Sequence, residues 1–282
     1  MEKIKIICDS LSDITDEYIE KYDIEFMPLT IIINDEQYRD RIDMKTEDFY
    51  KRIRQEHIVP KTSQITYKDF YDVFDKYLKE GYSILYISAA SSATGTYQSA
   101  VMASRDLDDK KIRIVDSNTL CFGIAVLLIE AGKLRDEGLS LDEIVSKVEE
   151  LKSKTYVTFF CDDLEHLRRG GRISAVKAVI GKVLGIRPVC VIKEGLVENV
   201  ANARGKNNAV RKLIEVAKEN GISDLSEQEV YVGYTDDINE RDKLLAAIAD
   251  TFKPKAIDSF MIGCGIGTHG GPGTTGFICF KK

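Results

Sequence analysis

Two rhythms of apolar and polar residues alternate along this chain. Apolar runs of strand length give way repeatedly to stretches in which apolar residues recur every three or four positions, the spacing that lines one face of a helix. Ile84, Leu85, Tyr86 and Ile87 predict a buried strand, and Tyr97, Ala100, Val101 and Ser104 predict the helix after it. Strands are also predicted over 4–8 and 112–115, helices over 15–21, 46–54, 120–137 and 141–152, and a strand over 26–33 that turns at Asn34-Asp35 into 37–39. Phe70, Phe74, Tyr77 and Leu78 line one face of an amphipathic helix that opens with a Thr66/Asp69 capping box and closes at Gly81. Ser140 and Glu143 form a second capping box.

The pattern restarts near Lys154. It continues with a strand over 156–160, a helix over 175–184 behind Ser174, and strands over 189–192 and 196–201 around Glu194-Gly195. A helix over 207–219, a strand over 230–234, a helix over 240–252 and a strand over 256–262 follow, then a Gly-rich loop over 263–276 and a last strand over 277–280. The expectation is an α/β protein of two α/β domains. Residues 1–154 would carry a largely parallel, Rossmann-like sheet, and 155–282 a mixed sheet flanked by helices.

Composition narrows the function classes. The chain of 282 residues is 44% hydrophobic and 30% charged, as expected of a soluble globular protein. A formal charge of −6 argues against a general nucleic-acid binder. No apolar run approaches a membrane span, and the start of the chain enters a strand pattern instead of a signal peptide, so a cytoplasmic location is expected. Cys8, Cys121, Cys161, Cys190, Cys264 and Cys279 are scattered, mostly in apolar runs, without a Cys-x-x-Cys pair, and read as reduced, buried thiols.

Candidate chemistry centres on the loop between the strand at 84–87 and its helix. Ser88, Ser91, Ser92, Thr94 and Thr96 surround Gly95 where helical N–H groups are free, and hydroxyls with the positive end of a helix dipole favour an anion. The same residues would also serve as ordinary helix caps. Thr62, Ser63 and Gln64 form a second polar loop, and the segment from Arg168 to Arg172 supplies three arginines around Gly170-Gly171. Asp9, Asp13 and Asp116 follow strands, where loop aspartates either cap helices or act as acids.

Several enzymatic readings find little purchase. Gly265-x-Gly267-x-x-Gly270 matches a dinucleotide fingerprint only on paper, because a strand follows it where the fingerprint requires a helix. There is no P-loop, and His57, His166 and His269 lack metal-site spacing, so neither a metal nor a cofactor is expected. A hydrolase or small-anion enzyme using the Ser/Thr loop and His269 remains an alternative, although no Gly-x-Ser-x-Gly elbow presents a nucleophile.

Five motifs then occur in order: Cys8-Asp9-Ser10; Thr62-Ser63-Gln64; the run Thr94 to Ala100; Leu164-x-x-Leu167-x-x-Gly170-Gly171-Arg172-Ile173-Ser174; and His269-Gly270-Gly271-Pro272-Gly273. Together they resemble the DegV family of bacterial fatty-acid-binding proteins over essentially the whole chain. The resemblance implies a long-chain fatty acid held between two α/β domains, its carboxylate met by Thr62 and Thr94 with Arg172 and His269 nearby. Ser63, Gly95 and Gly270 join the ligand-binding set through the same motifs, and Ser91 is the next donor if Thr94 points away. One departure is Thr94-Gly95-Thr96 where the family commonly has Ser-Gly-Thr, which keeps the hydroxyl and adds a methyl. The resemblance further implies a lipid-presenting subunit without turnover of its own, working with a fatty acid kinase subunit that uses ATP, with at most transient membrane contact. Arg204, Lys206 and Arg211 are the cations that would dock on that kinase, or else merely solvate the surface. Val176, Val179, Ile180, Val183 and Leu184 make an apolar helix face that would line an acyl tunnel, and core packing accounts for the same spacing.

Overall fold

The computed structural model describes residues 2–174 and 185–281. The expected helix over 175–184, with its five apolar residues, lies outside the described residues. A four-stranded parallel sheet of order β2-β1-β6-β7 is formed by Glu25–Met27, Ile4–Asp9, Ser83–Ser88 and Ile112–Asp116. A six-stranded mixed sheet of order β10-β9-β8-β13-β11-β12 is formed by Leu196–Arg204, Ile186–Lys193, Thr155–Phe160, Thr275–Phe280, Glu229–Tyr234 and Ala256–Met261. The turn at Glu194-Gly195 has positive φ at both residues, 51° and 77°, as a two-residue hairpin between right-twisted strands requires.

The expected strand over 26–33 divides. Pro28, which has no N–H to give a ladder, separates β2 from β3 (Thr30–Ile33), and β3 joins a small antiparallel sheet of order β4-β3-β5 with Glu36–Arg39 and Lys61–Ser63. The segment 61–63 is therefore a strand, not the polar loop its composition suggests. The Gly-rich stretch expected to be a loop likewise contains a helix, Cys264–Gly270.

In chain order the helices are α1 (Asp16–Lys21), α2 (Thr46–Glu56), α3 (Tyr67–Lys79), α4 (Thr96–Arg105), α5 (Phe122–Asp136), α6 (Leu141–Lys154), α7 (Glu165–Gly170), α8 (Lys206–Glu219), α9 (Ile238–Phe252) and α10 (Cys264–Gly270). Both capping boxes form as expected, at α3 and α6. Helix α5 is apolar around most of its circumference because it packs on strands of both large sheets. The largest core cluster accordingly combines Ile6, Leu85 and Leu127 with Val157, Phe260 and Ile278. The six cysteines are free and buried. Among the described residues no helix is long and apolar enough to cross a membrane.

Candidate functional site

Strand alternation chooses between the first two candidates. On β5 Thr62 is half-buried while Lys61 and Ser63 are exposed, so Thr62 faces inward and Ser63 outward. Ser63 therefore lies outside the site. Just past the end of β5, the exposed Gln64 donates to Ser99 Oγ at 3.0 Å and lies across Gly95, where a Cβ would collide with its side chain. Gly95 lets the β6–α4 loop come this close to the β5 end. Helix α10 carries His269 on its last turn, with the imidazole Nε2 3.1 Å from Thr62 Oγ1. Its Nδ1 edge lies against Gly170, where a Cβ would overlap the ring. Helix α7 ends at Gly171, whose φ of 71° turns the chain so that Arg172 reaches back to the same place.

Thr62, Gln64, Thr94, Gly95, Arg172, His269 and Gly270 thus come together at one end of a cavity of about 180 Å³. The remainder of its lining is largely apolar and drawn from both halves of the chain, including Leu11, Leu120, Val157, Phe159, Leu167 and Phe260. Phe260 in that lining is stacked on Phe122 with ring centroids 4.0 Å apart.

The polar end is electrostatically unbalanced. Arg172 donates to the carbonyls of Ala93, at 2.8 Å, and Gly170, and no carboxylate pairs with it among the described residues. Burial lowers its pKa, so the cation is held there against its hydration preference. Burial, then the charge of Arg172, then His166 push His269 down to about 4, which leaves the imidazole neutral near pH 7. No carboxylate orients His269 among its hydrogen bonds, so a Ser-His-Asp arrangement is not assembled here.

The two hydroxyl candidates on the β6–α4 loop differ. Thr94 lines the cavity, with Oγ1 accepting Thr96 N–H at 3.2 Å and donating to Thr96 Oγ1 at 3.0 Å. Ser91 is exposed on an outer groove of about 540 Å³, and its N–H donates to the Asp116 carboxylate at 3.2 Å. The partition between groove and cavity is made of Ala93, Thr94, Gly95 and Arg172, which line both. Gln64 lines the polar end and Gly170 backs His269 and Arg172; both stand in motifs noted in the sequence but are not named there as ligand contacts.

The family model described as "Uncharacterised protein, DegV family" matches residues 3–282. A DegV domain-containing protein of Caldanaerobacter subterraneus is 37% identical over 282 residues, covering 100% of both chains. A Thermotoga maritima protein, whose structure is described as revealing a fatty acid binding function, is 30% identical with a TM-score of 0.89, covering 99% of this chain and 100% of that one. The crystal structure of a stearic acid-binding protein from Eubacterium ventriosum is 27% identical with a TM-score of 0.87, covering 100% of this chain and 99% of the other.

Proposed function

This chain belongs to the DegV family, and from that membership we propose that it binds a long-chain fatty acid with the carboxylate at the Thr62, Thr94, Arg172 and His269 end of the cavity. The observation that carries the reading is the coincidence, in one cavity, of an apolar lining with a guanidinium that has no carboxylate partner among the described residues. A fatty acid supplies both complements. Burying a tail of roughly fifteen methylenes offers on the order of 12 kcal/mol before association costs, so the tail dominates affinity while the head fixes direction.

The chain acts in this reading as a cytoplasmic lipid-presenting subunit without turnover or cofactor of its own. A separate ATP-dependent fatty acid kinase subunit would phosphorylate the carboxylate. Support comes from the thin partition of residues 93–95 and Arg172, which brings the outer groove up to the head of the cavity. Among the candidate docking cations Lys206 pairs with Asp237 and Arg211 with Glu215, whereas Arg204 is exposed at the end of β10 and has no ion pair among the described residues. Arg204→Glu should weaken coupling to such a kinase and leave lipid affinity intact.

The deciding experiment is denaturing mass spectrometry of the protein purified from bacteria, paired with titration of delipidated protein with stearate. The expected result is a co-purifying fatty acid and submillimolar binding. Absence of both would overturn the reading.

A further inference from the structure

The glycines at the start of α10 close around two carboxylates contributed by the first half of the chain. Asp13 accepts the Gly263 N–H at 2.9 Å and the Cys121 Sγ–H at 2.9 Å. Asp40 accepts the Gly265 N–H at 3.0 Å through Oδ2, while its Oδ1 is buried and has no hydrogen-bond partner among the described residues. A Cβ on Gly263 would stand 2.7 Å from Asp13 Oδ1, and one on Gly265 would stand 3.1 Å from Asp40 Oδ2, so the two glycines give their N–H groups the close approach the carboxylates require. Gly265 of the Gly265-x-Gly267 motif serves this contact, whereas Gly267 makes room for the Tyr50 hydroxyl, which a Cβ there would overlap.

The arrangement is costly. Asp13 and Asp40 are 5% and 0% exposed, and Asp9 lies buried beside them. Tyr50, Cys121 and Cys264 are the other titratable neighbours, and the nearest cation, Arg41, is committed to Asp16 and the Ile14 carbonyl. Burial raises the pKa of both carboxyls, Asp13 to about 7. A buried acid without a cation partner detracts from stability, so its effect has to be sought in what it holds. It holds the first turn of a helix of about two turns whose last turn bears His269. Tyr50 steadies the same helix, donating to the Ile262 carbonyl at 2.8 Å.

We infer that Asp13 and Asp40 are positioning residues of the ligand site, which cap Gly263 and Gly265, fix the rotation of α10 and so hold the His269 imidazole against Thr62. The inference rests on the reading of His269 as a contact of the carboxylate.

The test uses the delipidated full chain, and its first readout needs no lipid. By NMR the His269 imidazole of the unaltered protein is expected to titrate low, at about 4, because burial and the charge of Arg172 disfavour the imidazolium. In Asp13→Ala and Asp40→Ala the released helix lets the ring meet water, and the midpoint rises by about one unit or more toward ~6.5. Asp13→Asn and Asp40→Asn keep an oxygen for each N–H and return the midpoint to its original value. Gly265→Ala presses on the same contact from the helix side with both acids in place, and it reproduces the alanine effect even if an aspartate variant fails to fold. The second readout is affinity. Stearate binding by Asp40→Ala weakens about tenfold, the size of one head-group hydrogen bond, while binding of the C18 alcohol is unchanged. An unmoved midpoint in folded Asp40→Ala and Gly265→Ala overturns the inference. A moved midpoint with unchanged stearate affinity upholds the hold on His269 and overturns the assignment of His269 to the carboxylate.

Discussion

Two arginines, Arg187 buried and Arg172 half-buried, are used in opposite ways in this protein. Arg187 is 4% exposed, lies over the Phe160 ring at 4.9 Å, and donates to Glu240, to Asp162 at 2.7 Å and to the Gly273 carbonyl at 2.7 Å. Its charge is balanced within the fold. Arg172 spends its donors on two backbone carbonyls and has no carboxylate partner among the described residues. Both are hydrogen-bonded, so hydrogen-bond satisfaction does not tell a structural cation from a binding one. Charge balance does: the first has carboxylate partners, and the second has none among the described residues, which is what an incoming anion would supply.

The sharpest way to break the comparison is to remove balance from the structural member. Glu240→Ala strands the buried Arg187 cation with only the partly exposed Asp162 beside it. The expected loss is about 3 to 5 kcal/mol of stability. Thermal and denaturant unfolding of the delipidated protein would show it, and a loss under about 1 kcal/mol would place Arg187 among surface pairs instead.

Removing the binding member should spare the fold and cost the ligand. In Arg172→Gln the desolvated cation is gone, so stability without lipid should hold or improve slightly. Stearate affinity should fall by roughly ten- to hundredfold, the range of a hydrogen bond to a charged group. Titration of the variant with stearate and with the C18 alcohol separates head from tail, and equal weakening of both would make Arg172 a wall residue only.

The third prediction concerns pH. His269 is held at about 4 without ligand by burial and by Arg172. A carboxylate placed beside it favours the imidazolium, so binding raises its pKa and takes up a proton. Affinity should therefore strengthen as pH falls from 7 and level off near the free-state value of about 4. A long-chain alkyl sulfonate, which stays ionised throughout, isolates this effect from protonation of the fatty acid. His269→Gln should flatten the profile. A flat profile in the unaltered protein would mean that the imidazole stays neutral and contributes only a neutral hydrogen bond.

The parts of this site differ in how far the sequence disclosed them. Capping boxes at Thr66/Asp69 and Ser140/Glu143 were legible because each is satisfied within four residues. Helix α10 was not, since its first N–H groups are met by carboxylates 250 and 225 positions away, and glycine-rich sequence alone reads as loop. Strand β5 was hidden for a related reason: three polar residues become a strand only by pairing with β3. The gathering of Thr62, Thr94, Arg172 and His269 followed from resemblance, and no spacing rule places four residues spread over more than two hundred positions around one cavity end. Arg172 stood among three arginines with nothing to separate it from Arg168 and Arg169, which the structure pairs with Glu165.

The smallest expected effect separates the two hydroxyls of the β6–α4 loop. Thr94 faces the cavity, but its proton is engaged by Thr96 Oγ1, so serving a carboxylate means exchanging one hydrogen bond for a charge-assisted one. That exchange nets about 0.5 to 1.5 kcal/mol, and Thr94→Val should weaken stearate binding by roughly three- to tenfold. Thr94→Ser should keep the donor and leave affinity near that of the unaltered protein. Ser91 points the other way. It stands on the outer groove with its N–H turned to Asp116, whose negative charge opposes any anion there. Ser91→Ala should therefore change stearate affinity by less than about twofold, within the ±0.5 kcal/mol typical of surface substitutions. Titrating the three variants side by side decides which hydroxyl the head group uses. A loss at Ser91 matching or exceeding that at Thr94 would move the carboxylate through the partition and into the groove.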